Sequence, residues 1–284
     1  MIAITGASGQ LGRLVIHDLL QKVPAGELVA LVRHPERVQD LAALGVQIRT
    51  ADYSRPETLV PALAGVERLL LISSSEVGQR TPQHKAVIDA ARKAGVRLLA
   101  YTSLLRADQS PLGLAPEHAE TEAYLRASGL PFVLLRNGWY TENYTASIPA
   151  ALAHGAFLGS AGEGRIASAA RADYAAAAAA VLLLEDQAGR TYELAGDTSY
   201  TLAELAGEIA RQSGKTVVYR DLPEAEYRGV LLGAGLPEGL ASLLADSDAG
   251  VAKGALAAEG RDLSRLIGRG TTPMATSVAE ALRA

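Results

Sequence analysis

An α/β fold built on a doubly wound parallel sheet, with a smaller and mostly helical C-terminal lobe, is predicted by three features of the sequence. Short apolar runs alternate with amphipathic segments through the first half of the chain. The links between them are short, and right-handed crossovers then put helices on both faces of a parallel sheet. Leu69-Leu-Leu-Ile72 is apolar throughout, as a strand covered on both faces requires. The first run, Ile2 to Thr5, breaks into glycines at 6, 9 and 12 and then into an amphipathic segment from Leu11 to Leu20, which reads as strand, tight turn and helix.

Further units follow in order. Leu28 to Arg33 reads as a strand and Pro35 to Leu44 as a helix stopped by Gly45; Val46 to Arg49 is a third strand, and Pro56 to Ala64 a helix with proline at its start. The fourth strand, Leu69 to Ile72, leads to a helix from Thr81 to Ala94 closed by Gly95. Val96 to Thr102 is a fifth strand, Pro116 to Ser128 a helix closed by Gly129, and Phe132 to Leu135 a sixth strand. From Thr141 the alternation loosens. A helix to His154, a Phe157-Leu158 segment, an Ala-rich helix capped by Asp173, a strand Thr191 to Ala195 that returns to the sheet, and a short strand Val217 to Tyr219 are expected. Thr201 with Glu204 forms a capping box, and Pro223 to Leu244 reads as two helices split at Gly235-Leu-Pro237. The expected domains are a Rossmann domain over residues 1–140 and an interleaved substrate lobe over residues 141–284.

Composition narrows the chemistry. A net charge of −4 on 284 residues, with both signs interspersed, argues against a nucleic-acid face. Without cysteine there is no disulfide, thiolate metal site or thiol nucleophile. The five histidines lack metal-ligand spacing and no Gly-x-Ser-x-Gly elbow occurs, so neither a metal site nor an acyl-transfer triad is expected. No segment suits a signal peptide or a membrane span, which makes the cytoplasm the expected compartment. Glu120 and Glu122, two apart on a helix, fit a solvated surface.

Ligands of such sheets bind at the carboxyl ends of the strands. Gly6 permits the sharp exit from the first strand, Gly9 admits a pyrophosphate close to the main chain, and Gly12 lets helix and strand approach. Ser8, Gln10 and Leu11 complete the candidate anion cradle at the helix N-terminus. At the end of the second strand stands Arg33, where an acid would receive the 2′-hydroxyl of NAD; an arginine suits the 2′-phosphate of NADP, so the expected cofactor is NADPH. Asp52 and Tyr53 are candidates for the adenine ring, with a helix-capping role for Asp52 or Ser54 equally open. Ser73, Ser74 and Ser75 end the fourth strand beside the cofactor path. Beyond the sixth strand, Asn137 and Gly138 fall near the carboxamide, and Tyr140 and Asn143 are the candidates for the reacting end.

These stretches, with Glu76-Val-Gly-Gln79, Arg136 to Tyr144, Arg171-Ala-Asp-Tyr-Ala175 and Leu244-Ala-Asp-Ser-Asp248, resemble the NmrA-like branch of the atypical short-chain dehydrogenases, and within it the bacterial type 2 NAD(P)H:quinone oxidoreductases. In dehydrogenases of the wider superfamily a Tyr acid and a Lys stand four residues apart after the fifth strand. Here those places hold Leu114 and His118, the latter open to a ribose contact or a packing role. A carbonyl reduction would lack its proton donor, whereas the hydroquinone anion formed from a quinone is a weak base that takes its proton from water. The resemblance implies direct hydride transfer from NADPH to a small-molecule quinone without flavin. It puts Tyr140 and Asn143 against the acceptor. A homo-oligomer stays open. The alternatives are an NADP-sensing regulatory protein without turnover and a reductase of aromatic dyes.

Overall fold

The computed structural model describes residues 1–283. Seven strands form one sheet in the order β3-β2-β1-β4-β5-β6-β8: β1 Ile2–Ile4, β2 Leu28–Val32, β3 Gln47–Thr50, β4 Arg68–Leu71, β5 Leu98–Leu104, β6 Phe132–Asn137 and β8 Thr191–Leu194. The registered pairs β1–β2, β2–β3, β1–β4, β4–β5 and β5–β6 are all parallel. The order reverses between β1 and β4, so the crevice at their carboxyl ends is the ligand position of a doubly wound sheet.

The chain divides into two compact units interleaved in sequence. Met1–Ala107, Pro116–Asn137 and Ala172–Glu193 form the first; Asp108–Ala115, Gly138–Arg171 and Leu194 onward form the second. In the first, α1 Gln10–Leu20, α2 Gln39–Ala43, α3 Leu59–Ala62, α4 Arg80–Ala94, α5 Ala115–Ala127 and, further along the chain, the Ala-rich α8 Arg171–Leu183 surround the sheet. Alternate strand residues Ala3, Val29, Leu31, Leu69, Leu71, Leu99 and Tyr101 join Val87, Ile88 and Ala91 of α4 in one buried cluster. Burial of this kind is the main stabilising term, about 1.5–3 kcal/mol for each large side chain. Pro35 and Pro56 start their helices as predicted, but each opens with a tighter 3-10 turn. Arg68 donates to Leu182 O (2.8 Å) and Leu184 O (2.9 Å), which satisfies carbonyls that the end of α8 leaves open.

In the second unit the helix expected over 141–154 is two, α6 Glu142–Thr145 and α7 Ile148–His154, with Pro149 in the first turn of α7. β7 Ala156–Gly159 and β9 Val218–Asp221 pair in parallel as a separate two-stranded sheet. Helix α9 Leu202–Ser213 packs on both strands and carries the predicted capping box: Glu204 N donates to Thr201 Oγ1 (3.1 Å) and Thr201 N to Glu204 Oε2 (2.8 Å). The helices α10 Glu224–Gly233 and α11 Glu238–Ala252 are split where Gly235 and Pro237 predict, although α11 runs past Leu244; α12 Asp262–Ile267 and α13 Met274–Ala281 follow.

Two charged residues depart from expectation. Asp173 is not the N-cap of α8: the helix begins at Arg171, Asp173 is fully buried in its first turn, and the Arg171 N–H is capped by the Glu142 carboxylate (2.9 and 3.0 Å). Glu122 is not solvated. It is 4% exposed and takes a two-pronged bond from Arg136 (Nε to Oε1 2.9 Å, Nη2 to Oε2 2.7 Å) plus the Ser103 hydroxyl (2.6 Å), while Arg136 Nη1 also reaches Glu193 (2.8 Å).

Candidate active site

Beneath the glycine turn, Thr5 Oγ1 donates to Leu70 O (3.1 Å) and accepts from Ile72 N (2.9 Å), clamping the ends of β1 and β4 together. Tyr53 is drawn into this clamp, its hydroxyl reaching Ile72 O (2.9 Å) and Thr5 Oγ1 (2.5 Å), so the phenol hydroxyl supports the turn. Asp52 Oδ1 accepts the Ser54 N–H (2.9 Å), a local turn contact. Gly6 has φ +58°, the left-handed region that glycine tolerates. A Cβ on Gly12 would lie 2.5 Å from Gly6 O and 2.8 Å from Ala7 Cα, so the close approach at this position is a property of the backbone itself.

Helix α1 starts after Gly9 with no side-chain cap and no acid in its first turn. Its first N–H groups, at Gln10, Leu11 and Gly12, are therefore left to an anion. Ser8, Gly9 and Gln10 are exposed, whereas the Leu11 side chain is buried, so only the main chain of Leu11 is open to a ligand.

Arg33, Ser73 to Ser75 and Asn137 stand at the carboxyl ends of β2, β4 and β6 of the same sheet. Arg33 is exposed and bonded through Nη1 to Glu76 Oε1 (2.7 Å). Ser73 N donates to Thr102 Oγ1 (2.8 Å); Ser74 is buried, its N–H on His84 Nε2 (2.9 Å) and its carbonyl on Arg80 Nε (2.6 Å); Ser75 is exposed. Asn137 is buried and its Oδ1 has no hydrogen-bond partner among the described residues. A buried acceptor of this kind at a strand end suits a ligand donor such as a carboxamide. With the tight backbone cradle at Gly12, it makes these residues a fit for a dinucleotide.

Sequence reasoning missed what holds these residues. His118 lies inside the protein, its Nδ1 2.8 Å from Tyr101 OH and its Nε2 3.4 Å from Arg80 Nη1, so both ring nitrogens have partners within the fold. His84 Nδ1 contacts Thr121 Oγ1 (3.0 Å). Burial, reinforced by the Arg80 charge, drives both imidazoles down to about 3, so they are neutral at physiological pH. Glu117 caps α4 through Gly78 N (3.1 Å) and Arg80 N (3.0 Å). No local pattern reveals these partners, which are 17 to 39 residues apart in the chain.

In the second unit Gly138 N donates to Leu194 O (2.7 Å), and Tyr140 is bridged to Ala169, with its ring 4.7 Å from the Arg171 guanidinium. Asn143 is half-buried; its N–H donates to Tyr140 O (3.0 Å) and its side-chain amide makes no hydrogen bond among the described residues. The next residue, Tyr144, donates to buried Asp248 Oδ1 (3.1 Å), whose Oδ2 accepts from Ser160 N (3.1 Å). With no cation among these partners, burial pushes the Asp248 carboxyl from 3.8 up to about 6. The native carboxyl thus keeps its proton to higher pH than the unfolded one. Its contribution to stability is full below pH about 4 and lost as pH rises through about 6, a change of about 3 kcal/mol. The two buried imidazoles act in the opposite direction as pH falls, so the group is isolated by difference. Urea midpoints of the protein and of Asp248→Asn, measured from pH 4 to 7, are expected to diverge in favour of the variant as pH rises; parallel curves would refute a raised Asp248.

Among the described residues, no helix is long and apolar enough to cross a membrane and no group of three or more His, Cys, Asp or Glu is placed to hold a metal ion.

A family model described as NAD(P)H-binding matches residues 6–185, the region that carries the glycine turn, Arg33, the serines and Asn137. A fungal NmrA-like family domain-containing oxidoreductase from Aspergillus flavus is 30% identical over 79% of this chain and 75% of its own length. The chain belongs to the NAD(P)H-binding, NmrA-like family. Within this family it is 59% identical to quinone oxidoreductase 2 of Escherichia coli K12 over 98% of this chain and 97% of that protein. The crystal structure of the NADPH-dependent Escherichia coli quinone oxidoreductase in complex with NADPH superposes with a TM-score of 0.97 at 58% identity, covering 99% of this chain and 100% of that one. The NADP(H) complex of a Citrobacter triphenylmethane reductase follows with a TM-score of 0.95 at 39% identity, covering 99% and 100%.

Proposed function

We propose that this protein is an NADPH-dependent quinone reductase. The observation that carries the reading is near-full-length 59% identity to a quinone oxidoreductase, on a chain whose own glycine turn and orphaned Asn137 acceptor suit the dinucleotide. NADPH, when bound, supplies a hydride from its nicotinamide ring. The residues of the chain bind and orient. The N–H groups of Gln10, Leu11 and Gly12 hold the pyrophosphate, with Gly6, Ser8 and Gly9 shaping the loop; Arg33 takes the 2′-phosphate; Ser73, Ser74 and Ser75 line the path; Asn137 and Gly138 face the carboxamide. Tyr140 and Asn143 contact the quinone, and the Asn143 amide, unspent among the described residues, donates to a quinone oxygen as it gains negative charge. No side-chain acid is required, in keeping with Leu114 where other dehydrogenases hold Tyr, and no flavin takes part. The reading includes a cytoplasmic location, where reduced dinucleotide is supplied.

The test is loss of NADPH absorbance on adding para-benzoquinone to flavin-free protein. Turnover is expected, with kcat/KM reduced about ten- to hundredfold in Asn143→Ala and NADPH affinity retained. Unchanged reduction by that variant would remove Asn143 from the site, and NADPH binding without any quinone-dependent oxidation would mark a regulatory protein instead. The 39% identity to a triphenylmethane reductase supports a second reading, dye reduction at the same site, which a cationic triphenylmethane dye in the same assay separates by kcat/KM.

A further inference from the structure

The edge of β2 offers no acid in the sequence, yet the structure brings one there from the segment after β4. Glu76 Oε1 lies 2.7 Å from Arg33 Nη1, across 43 residues of chain. Its other oxygen accepts from Gln83 Nε2 (2.7 Å), and its own N–H donates to Ser74 Oγ (3.1 Å). Both supports are buried: Gln83 also donates to Ser54 Oγ (3.0 Å), and Ser74 is held by His84 and Arg80 as described above. The Gln83 amide is turned so that its nitrogen serves Glu76 and Ser54, while its Oε1 is left buried without a partner. The carboxylate is thus braced from behind by groups independent of Arg33. Among the described residues Arg33 has no other hydrogen-bond or ion-pair partner, and its side chain is 56% exposed.

We infer that Glu76 sets how strongly the cofactor site separates a dinucleotide bearing a 2′-phosphate from one bearing a 2′-hydroxyl. The inference rests on the reading of Arg33 as the phosphate's partner. A fixed anion against a movable cation leaves this place close to neutral. An arriving phosphate, which carries a charge of about −1.5 to −2 near pH 7, gains the guanidinium but meets the carboxylate as a like charge. The guanidinium has donors to spare beyond Nη1, so phosphate can bind, but with the attraction of Arg33 partly cancelled. A 2′-hydroxyl meets the opposite situation, because a carboxylate at this strand edge is a good acceptor for it. Glu76 therefore lowers affinity for the phosphorylated dinucleotide and admits the other. Both side chains are solvated, so the effect is screened by salt.

The experiment measures dissociation constants of NADP⁺ and NAD⁺ for the protein, Glu76→Gln and Arg33→Gln, by calorimetry at low and at moderate salt. Glu76→Gln is expected to bind NADP⁺ about tenfold more tightly, with NAD⁺ unchanged or weaker and the gain shrinking as salt rises. NADP⁺ affinity that is unchanged or reduced in Glu76→Gln overturns the inference; reduction would make Glu76 a brace that positions Arg33. Arg33→Gln should abolish the preference for NADP⁺. If that preference survives, the Arg33 reading fails; if it is lost while Glu76→Gln shows no tightening, the Glu76 inference fails alone.

Discussion

Gly12→Ala is expected to weaken NADPH binding by at least a hundredfold. The added methyl would stand 2.5 Å from Gly6 O and 2.8 Å from Ala7 Cα, and both obstacles are backbone that cannot rotate away. Relief requires α1 to move off the turn. That displaces the N–H groups of Gln10, Leu11 and Gly12 together, and a shift of about 1 Å in such a cradle forfeits most of its hydrogen bonding. Overpacking adds a stability loss of about 1–3 kcal/mol. Gly26→Ala is the control, since a Cβ there meets nothing within 4 Å. Calorimetric titration with NADPH checks both variants; a Gly12→Ala affinity within twofold of the original would mean that the turn does not hold the pyrophosphate.

The second large effect belongs to Glu122→Ala. Removing this carboxylate takes from the guanidinium of Arg136, itself 8% exposed, its two-pronged partner and strands the Ser103 hydroxyl. A buried charge deprived of its main partner costs about 3–5 kcal/mol. On a chain of this length that lowers the melting midpoint by about 10 °C. Glu122→Gln, which keeps an acceptor for Arg136, should lose about half as much. Glu120→Ala, on the exposed side of the same helix, should leave the midpoint unchanged. Calorimetric melting decides it, and equal midpoints for Glu122→Ala and Glu120→Ala would show that the pair contributes nothing net.

The contrast between Glu120 and Glu122 shows where sequence reading stops. Two carboxylates two residues apart on a helix look alike from the chain alone. One meets Lys85 at the surface (2.7 Å), and the other points at a strand residue fourteen positions later, which only the sheet order brings within reach. The same reason explains Asp173, where a capping pattern was legible but the cap came from Glu142, 29 residues earlier. It explains the pairing of β7 with β9 as well, since each is a run of four residues whose partner lies about sixty positions away. His118, open in the sequence to a ribose contact or a packing role, is buried in the structure. Its actual partners, Tyr101 and Arg80, came from a strand and a helix that no periodicity connects to it.

The sequence by itself determined the alternation of strands and helices, the glycine turn, the arginine at the end of β2, the capping box at Thr201 and the break at Gly235 to Pro237. Each of these is written in backbone preference or in side-chain spacing over a few residues, where chain connectivity already fixes the neighbours. The tertiary structure alone decided which charges are buried and with whom: Arg136 with Glu122, and Asp248 with Tyr144. Those outcomes depend on the free energy of taking a charge out of water, and that turns on partners which only the packed fold supplies.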